Sequence, residues 1–316
     1  MELKTMTQKI SIPKTDLVVH PLCLGGNVFG WSADGAQSFA ILDAYVEAGG
    51  NFIDTADVYS EWKPGNKGGE SETIIGNWMK SRGNRSEMVI ATKVAKLSTR
   101  PGLSPENISA ALEDSLRRLQ TDYIDLYYSH EDDAKTPMEQ TLLRYTELIS
   151  VGKIRYIGAS QHTGARLADA LELSKRDGYA AYVALQDQYN LVERNPFESE
   201  QEEVVRSYGI SAIPFFGLAK GFLSGKYRPG VAVDSVRADG VLSYQNEKGW
   251  ALIELLDQLS RKYGSSISAI SLAWLRSNPA VSTPIASART VEQLREIVQI
   301  VELEDADIDA LDRASA

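Results

Sequence analysis

The stretch MVIATKVAKLSTRPGLSPENISAALEDSLRRLQTDYIDLYYSH, residues 88–130, decides the fold of this chain. It opens with an apolar run, Met88–Val94, that is typical of a buried strand. A helix is predicted over Ser104–Leu119, because a serine followed by proline and glutamate suits a helix cap and first turn. A second apolar strand, Ile124–Ser129, follows. Strand, helix and strand in this order predict a βαβ unit with parallel strands.

The same alternation extends over most of the 316 residues. The other predicted strands are Val18–Leu24, Phe52–Ala56, Arg155–Ala159, Val183–Gln188, Ile210–Phe216 and Ser282–Ile285. The other predicted helices are Gly35–Glu47, Ser71–Ser81, Pro137–Val151, Gly164–Arg176, Ser199–Ser207, Ala251–Tyr263, Ser268–Ser277 and Val291–Val301. Short apolar strands bounded by turns are typical of a buried parallel sheet. Eight such units predict an α/β fold, a (β/α)8 TIM barrel, in a single domain spanning residues 1–316.

The alternative architecture for this alternation is an open doubly wound sheet. Such a sheet usually carries a glycine-rich phosphate loop, G-x-G-x-x-G or G-x-x-x-x-G-K-[ST]. The first strand-to-helix turn, residues 25–30, lacks the first pattern, and the second occurs nowhere in the chain. The barrel is therefore favoured. We also predict an N-terminal hairpin from Lys9–Ile12 and Leu17–Val19, and a long functional or disordered loop, Leu218–Lys248, after the seventh strand.

Composition narrows the class of protein. The chain is 43% hydrophobic and 24% charged, and its net charge of −10 argues against a general nucleic-acid binder. It has no run of 18 apolar residues, so no membrane span is expected. No metal-binding cluster is evident. Cys23 is the only cysteine and the N-terminus has no apolar signal core, so we expect a cytoplasmic protein.

Polar side chains stand where three consecutive predicted strands end. In NFIDTADVYSEWKPG, residues 51–65, the strand stops at Asp54 and Tyr59 follows in the loop. Lys93 and His130 stand at the ends of the next two strands. Taken alone, each has a simpler explanation: a helix cap, a surface tyrosine or lysine, or a structural histidine. In a barrel the strand ends meet at one mouth, so the four together predict a catalytic site.

The four side chains suit proton donation to a carbonyl oxygen. A tyrosine titrates at about 10 in water, too high for an efficient proton donor near neutral pH. We expect the Lys93 ammonium to lower the pKa of Tyr59, and the Asp54 carboxylate to hold Lys93 charged. Tyr59 is then the general acid, and His130 donates a hydrogen bond to the substrate oxygen. Such a site suits protonation of an alkoxide as hydride arrives at carbon.

Motifs along nearly the whole chain, in order and spacing, resemble those of the aldo-keto reductases. They are FIDTADVYS, GESETIIGNWMK, VIATKV, IDLYYSH, GKIRYIGAS, QDQYNLVER, GLAKGFLSGKY and SARTVEQLREIV, with LGG at residues 24–26. Within that family the chain is most similar to the bacterial branch and to the potassium-channel beta subunits. The resemblance implies a (β/α)8 barrel that binds extended NADPH, and a catalytic tetrad that falls on Asp54, Tyr59, Lys93 and His130.

The resemblance also implies the residues that surround the cofactor. Ser160, Gln161 and Gln186 match the positions that hold the nicotinamide carboxamide, and Phe215 matches the residue that stacks on the ring. The other expected cofactor contacts are Gly26, Asn27, Val28, Asp54, Phe216, Leu218, Lys220, Lys226, Arg237, Ser287, Gln293 and Glu296. Arg289 matches the partner of the adenosine 2′-phosphate, because its guanidinium binds phosphate in a bidentate way, and this favours NADPH over NADH.

We therefore expect an NADPH-dependent oxidoreductase that reduces aldehydes and ketones reversibly. Phe29, Trp31 and Trp62 are assigned to the rim of the substrate pocket, with core packing as the alternative for each. The alternative function is a cofactor-binding regulatory or redox-sensing subunit similar to the potassium-channel beta subunits. A barrel isomerase or hydrolase would need a metal cluster or phosphate loop, which the sequence lacks. Monomer and homo-oligomer are equally compatible with the sequence.

Overall fold

The chain begins with the predicted hairpin in the computed structural model, which describes residues 8–231, 233 and 239–316. Strands β1 (Ile10–Ser11) and β2 (Val18–Val19) pair in antiparallel fashion, with Ile10 opposite Val19. The hairpin is thus present where the sequence indicated it. The expected cofactor contact Arg237 lies outside the described residues.

Eight further strands in the described part of the chain form one parallel sheet. They are β3 (Cys23–Gly25), β4 (Phe52–Asp54), β5 (Val89–Val94), β6 (Ile124–Ser129), β7 (Ile154–Ser160), β8 (Tyr182–Gln186), β9 (Ser211–Ala212) and β10 (Ile285–Ala286). Consecutive strands pair from β3 to β9, and β10 pairs with β3. A parallel bridge between Ala212 and Val281 joins β9 to the segment before β10, so the sheet closes on itself. The predicted (β/α)8 barrel is confirmed.

Helices alternate with the strands and surround the sheet. They are α1 (Gly35–Glu47), α2 (Glu70–Arg82), α3 (Pro105–Leu119), α4 (Met138–Ser150), α5 (Gly164–Asp177), α6 (Glu202–Ser207), α7 (Glu247–Tyr263), α8 (Ile267–Ser277), α9 (Val291–Ile297) and α10 (Asp305–Ser315). Local sequence sets several of their boundaries. At α1 the Asp34 side chain accepts from the Gln37 amide while the Gln37 side chain accepts from the Asp34 amide, a capping box. No helix among the described residues has the length and apolarity needed to span a bilayer.

The barrel interior is closed at the end opposite the strand carboxyl ends. Apolar side chains of the hairpin, including Ile12, Leu17 and Val19, pack in one buried cluster with Phe52 and Val89. These two residues are the first of β4 and β5. A second and larger apolar cluster lies between the sheet and the helices. Because the described hairpin residues fill the amino end of the barrel, the carboxyl end is left for a binding site.

Two predicted strands differ from the observed ones for identifiable reasons. The run Val18–Leu24 is split between β2 and β3, because Pro21 has no amide proton and the His20 Nδ1 atom accepts from the Leu22 amide in a tight turn. The run Ile210–Phe216 yields only the two residues of β9. Pro214 interrupts the hydrogen-bonding ladder there, although the Phe215 amide still donates to Asp187 O at 3.0 Å.

Candidate active site

The four predicted catalytic side chains converge at the carboxyl end of the barrel. Asp54 is the last residue of β4, Lys93 lies in β5, and His130 directly follows β6. Tyr59 lies in the loop after β4. These three strands are adjacent and parallel, so their ends bring the four side chains to the same mouth.

Lys93 is the centre of the cluster. Its ammonium is fully buried and donates to three oxygens: Asp54 Oδ2 at 2.6 Å, Thr55 O at 2.7 Å and Tyr59 Oη at 2.8 Å. A buried ammonium has three protons to place, and here all three have acceptors. Burial lowers the pKa of Lys93, while the Asp54 carboxylate acts in the opposite direction. The arrangement fixes the position of the Tyr59 hydroxyl.

Tyr59 remains a neutral phenol in this site. Burial is the main reason that its pKa lies well above the usual 10.0, and the charge of Asp54 adds to the effect. The expectation that Lys93 gives Tyr59 a lowered pKa is therefore wrong for the cofactor-free site. The cost of burying a phenolate beside a carboxylate outweighs the attraction of one ammonium. Tyr59 consequently keeps a proton that it can donate, and its hydroxyl contacts Asp54 Oδ2 at 3.1 Å.

His130 stands beside Tyr59 as a neutral imidazole. The two rings lie 6.0 Å apart between centroids, at an interplanar angle of 72°. Burial lowers the pKa of His130 well below 6.5, and the charges of Lys93 and Lys96 lower it further. Its Nδ1 atom is buried without a hydrogen-bond partner among the described residues. A neutral histidine of this kind donates one hydrogen bond without carrying a charge.

A cavity of about 630 Å³ opens above these side chains. Most of the residues assigned to the site from the sequence line it: Asn27, Val28, Asp54, Tyr59, Trp62, His130, Ser160, Gln161, Gln186, Phe215, Phe216, Leu218, Lys220, Lys226, Ser287, Arg289, Gln293 and Glu296. The sequence reasoning thus identified most of the wall. The loops after β3, β4, β5, β6, β7, β9 and β10 all contribute, and Gln186 contributes from the end of β8, as expected for the mouth of a barrel.

Three lining residues, Gln161, Phe216 and Lys220, hold a strained backbone. Gln161 has φ 52° and Phe216 has φ 54°, in the left-handed region that non-glycine residues seldom occupy. Gln161 follows β7, and its Nε2 donates to His130 O at 3.0 Å. The Phe216 carbonyl accepts from Asn190 Nδ2 at 3.0 Å. Strain of this kind clusters at ligand-binding sites, where surrounding contacts hold the residue in place.

Comparison with known proteins agrees with this geometry. Residues 21–316 match the model of the Aldo/keto reductase family. The chain belongs to this family. It is 35% identical to the uncharacterized oxidoreductase YrpG of Bacillus subtilis (strain 168), over 92% of this chain and 90% of that protein. It is 32% identical to Protein tas of Escherichia coli (strain K12), over 93% and 92%. It is also 32% identical to a probable voltage-gated potassium channel subunit beta of Oryza sativa subsp. japonica, over 93% and 90%.

As an aldo/keto reductase, the chain is an oxidoreductase of a family that generally uses NAD(P)H. The cavity fits such a cofactor on two grounds. Ser160 Oγ is buried without a partner among the described residues, so it is free for a carboxamide. Three cations, Lys220, Lys226 and Arg289, line the side formed by the loops after β9 and β10, and phosphate groups need such partners.

Some assigned residues have other positions than the family resemblance suggested. Phe29 is fully buried in the core between sheet and helices, so its assignment to the pocket rim is wrong. Its side chain is apolar all round, and the turn after β3 directs it inward. Gly26 is also buried and does not line the cavity. Trp31 contacts Trp62 at 5.7 Å between ring centroids but does not itself line the cavity.

The sequence reasoning missed four polar side chains of the aldo/keto reductase cavity. Ser32, Lys96, Ser224 and Ser268 all line it. Lys96 lies two residues after the end of β5. A polar residue so close to a strand end could have been predicted from the sequence to line the mouth. Ser268 is the second residue of α8, and the packing of that helix against the loop after β9 brings it to the cavity.

Proposed function

We propose that this aldo/keto reductase catalyses the reversible, NADPH-dependent reduction of aldehydes and ketones to alcohols. The observation that carries the proposal is the contact of Lys93 Nζ with both Tyr59 Oη, at 2.8 Å, and Asp54 Oδ2, at 2.6 Å, beside the lined cavity. A phenol that accepts a hydrogen bond from a buried ammonium can act as a proton donor, because the ammonium stabilises the phenolate that remains.

Each side chain has a distinct role in this proposal. The nicotinamide, when bound, supplies hydride in reduction and accepts it in oxidation. Tyr59 delivers the proton to the carbonyl oxygen, because burial keeps the phenol protonated until a basic oxygen arrives. Lys93 then stabilises the phenolate that Tyr59 becomes, and Asp54 holds Lys93 in position. His130, as a neutral imidazole, donates a hydrogen bond to the same oxygen.

The cofactor contacts are proposed from the cavity lining. Ser160, Gln161 and Gln186 would hold the carboxamide, and Phe215 would face the ring. Gln186 is at present tied to the tetrad, since its Nε2 donates to Asp54 Oδ1 at 2.9 Å. Lys220 and Lys226, with Phe216 and Leu218 beside them, would receive the pyrophosphate. Near the adenosine lie Ser287, Arg289, Gln293 and Glu296, with Asn27 accepting from Ser287 Oγ at 2.6 Å.

The direct test is the substitution Tyr59→Phe. It removes the proton donor while leaving the ring and its packing in place. We expect carbonyl reduction to fall by about 10²–10⁴-fold, the usual contribution of general acid catalysis. NADPH binding, followed by intrinsic fluorescence, should be unchanged. Full activity in the variant would refute the role of Tyr59 as the proton donor.

The similarity to a potassium channel beta subunit supports a second candidate function, a cofactor-binding regulatory subunit. The tetrad does not discriminate between the two, because slow chemistry at the same site could report the redox state. The turnover number and the formation of a complex with a membrane protein distinguish an enzyme from a regulatory subunit. A stable complex with one membrane protein, together with very slow turnover across a carbonyl screen, would favour the regulatory function.

A further inference from the structure

Lys96 stands on the substrate side of the cavity, and none of the roles proposed above uses it. It lies in the loop after β5, between the strands whose ends carry Tyr59 and His130. It lines the same cavity as those two residues. Its charge acts on His130, so the two groups are close enough to interact through space. A cation in this position faces whatever the substrate carries next to its carbonyl group.

Lys96 is separated from the cations assigned to the cofactor phosphates. The strand order runs from β3 through β9, and β10 pairs with β3. In this ring of eight, β5 and β9 are four strands apart and therefore opposite each other. Lys220 and Lys226 follow β9, and Arg289 follows β10. Of the four cations that line the cavity within the described residues, Lys96 alone stands on the wall with the proton donor.

The present partners of Lys96 are exchangeable. Its Nζ lies 3.2 Å from Glu131 Oε2, in a pair whose side chains are 32% and 44% exposed. It lies 3.4 Å from Gln161 Oε1, which is a long hydrogen bond. Exposed pairs of this kind contribute little, because water competes for both charges. A carboxylate on a bound molecule can replace them.

Aromatic surface lies next to this cation. Trp62 is 47% exposed, lines the cavity and contacts Tyr59 at 6.1 Å between ring centroids. Trp31 supports it from behind, at 5.7 Å. An exposed tryptophan beside a catalytic tyrosine is a surface for a flat apolar group. The wall therefore combines an aromatic platform with one positive charge.

We propose that Lys96 binds the carboxylate of the substrate, and that the preferred substrates are aromatic aldehydes that carry a carboxylate. This inference rests on the proposed function, and it names the substrate class. In the reaction the carbonyl gains one hydride and one proton and becomes an alcohol, while the carboxylate is unchanged. Trp62 receives the ring, and Tyr59 and His130 meet the carbonyl oxygen.

The test compares 4-formylbenzoate with its uncharged methyl ester at low ionic strength. In the protein itself we expect the acid to have a kcat/KM about tenfold higher, since hydrogen bonds to charged groups exceed neutral ones. Lys96→Met should remove this preference, mainly through KM, and leave the ester within about twofold. Glu131→Gln should act in the opposite direction and favour the acid further, because it removes the competing carboxylate. Lys175→Met, an exposed lysine of α5, controls for net charge.

A binding measurement complements the kinetics. The product 4-(hydroxymethyl)benzoate should bind to the cofactor-loaded protein with an affinity that Lys96→Met lowers and added salt weakens. The affinity of its methyl ester should change neither with Lys96→Met nor with added salt. Equal effects of Lys96→Met on acid and ester, in rate or in binding, would overturn the inference while leaving the proposed function standing. Failure to reduce either aldehyde would contradict the proposed function itself, and the inference with it.

Discussion

At the scale of single residues, the site depends on one buried ammonium. Lys93 is fully buried, and three oxygens surround it within 2.8 Å. An unpaired charge in such a place would be expensive, so its partners must stay in position. The same contacts hold Tyr59 at the edge of the cavity, where the residue is half-buried. Stability of the cluster and orientation of the proposed proton donor thus have a common cause.

Arg289 provides a prediction about cofactor choice at the same scale. Arg289→Leu should raise the KM for NADPH by about 10-fold or more and change that for NADH little, because a bidentate guanidinium–phosphate pair is lost. Steady-state kinetics with both cofactors measures it. Arg295→Leu removes an exposed arginine from α9, which begins two residues after Arg289, and is the control. Equal losses for the two cofactors would contradict the assignment of Arg289 to the 2′-phosphate.

Sequence reasoning was most successful for residues at strand ends, since a barrel dictates where those ends meet. It predicted that Asp54, Lys93 and His130 meet at the barrel mouth, and the structure brings them together there. It was wrong about the direction of the Tyr59 pKa, because burial depends on packing that a motif does not express. It was wrong about Phe29 for the same reason. The side-chain direction within a turn is set by the neighbouring strands, and spacing alone does not give it.

At the scale of elements, the contact between α2 and α3 depends on one glycine. A Cβ atom at Gly76 of α2 would lie 2.8 Å from the backbone Cα of Leu119 in α3, and it would also collide with Arg118 O. Backbone atoms cannot move away as a flexible side chain can. The glycine therefore allows α2 and α3 to approach closely.

Gly76→Ala should destabilise the protein. Alanine favours a helix over glycine by about 1 kcal/mol, but overpacking against a backbone costs about 1–3 kcal/mol, and we expect overpacking to dominate. Urea unfolding should show the decrease. Gly35→Ala is the matched control, because no atom lies within 4 Å of the added Cβ at the start of α1. A stability gain in the Gly76 variant would show that the two helices can separate without cost.

Element boundaries followed the sequence where a local signal existed. The bounds of α1 agree with the prediction, because a capping box at Asp34 and glycines at 49 and 50 enclose it. Strand β9 was predicted seven residues long, Ile210–Phe216, and has two. Beyond β9, one isolated parallel bridge pairs Phe215 with Gln188. Apolar periodicity reports burial, and it does not report where a proline interrupts the ladder.

At the scale of the whole molecule, stability should depend on a buried carboxyl behind the active site. Asp57 is fully buried, and neither of its oxygens has a hydrogen-bond partner among the described residues. Burial raises its pKa from 3.8 to about 7, and the nearby Glu72 adds to the effect while Arg118 and Arg100 oppose it. Between these two values the folded protein holds a proton that the unfolded chain releases. Stability therefore falls as pH rises from about 4 to 7 and levels off above that.

Asp57→Asn should remove this dependence, because an amide resembles the protonated carboxyl and does not ionise. At pH 8 we expect the variant to unfold at a temperature at least about 2 °C higher than the unmodified protein, and at pH 4 the two should agree. Thermal unfolding followed by circular dichroism measures both. Asp122→Asn, at an exposed carboxyl, should show no such divergence. A pH-independent difference between the Asp57 variant and the parent would contradict the account.

At the scale of the whole molecule, the two sides of the barrel mouth carry different groups of proposed functional residues. Loops after β9 and β10 carry the cations proposed for the cofactor phosphates. The ends of β4, β5 and β6 and the loops that follow them carry the proposed proton donor and the residues that hold it. This division follows from strand order, which the sequence already predicted. The chemistry at the junction, transfer of hydride to a carbonyl carbon with a proton from Tyr59, is the central claim.

The measurement that tests this claim most directly is isotope transfer from NADPH that carries deuterium at both C4 positions of the nicotinamide. Methyl 4-formylbenzoate is the acceptor, and mass spectrometry of the alcohol is the readout. We predict that the alcohol carries deuterium at the former carbonyl carbon, and that Tyr59→Phe forms it at least about 10²-fold more slowly. An alcohol without deuterium, or equal rates in the two proteins, would contradict the account.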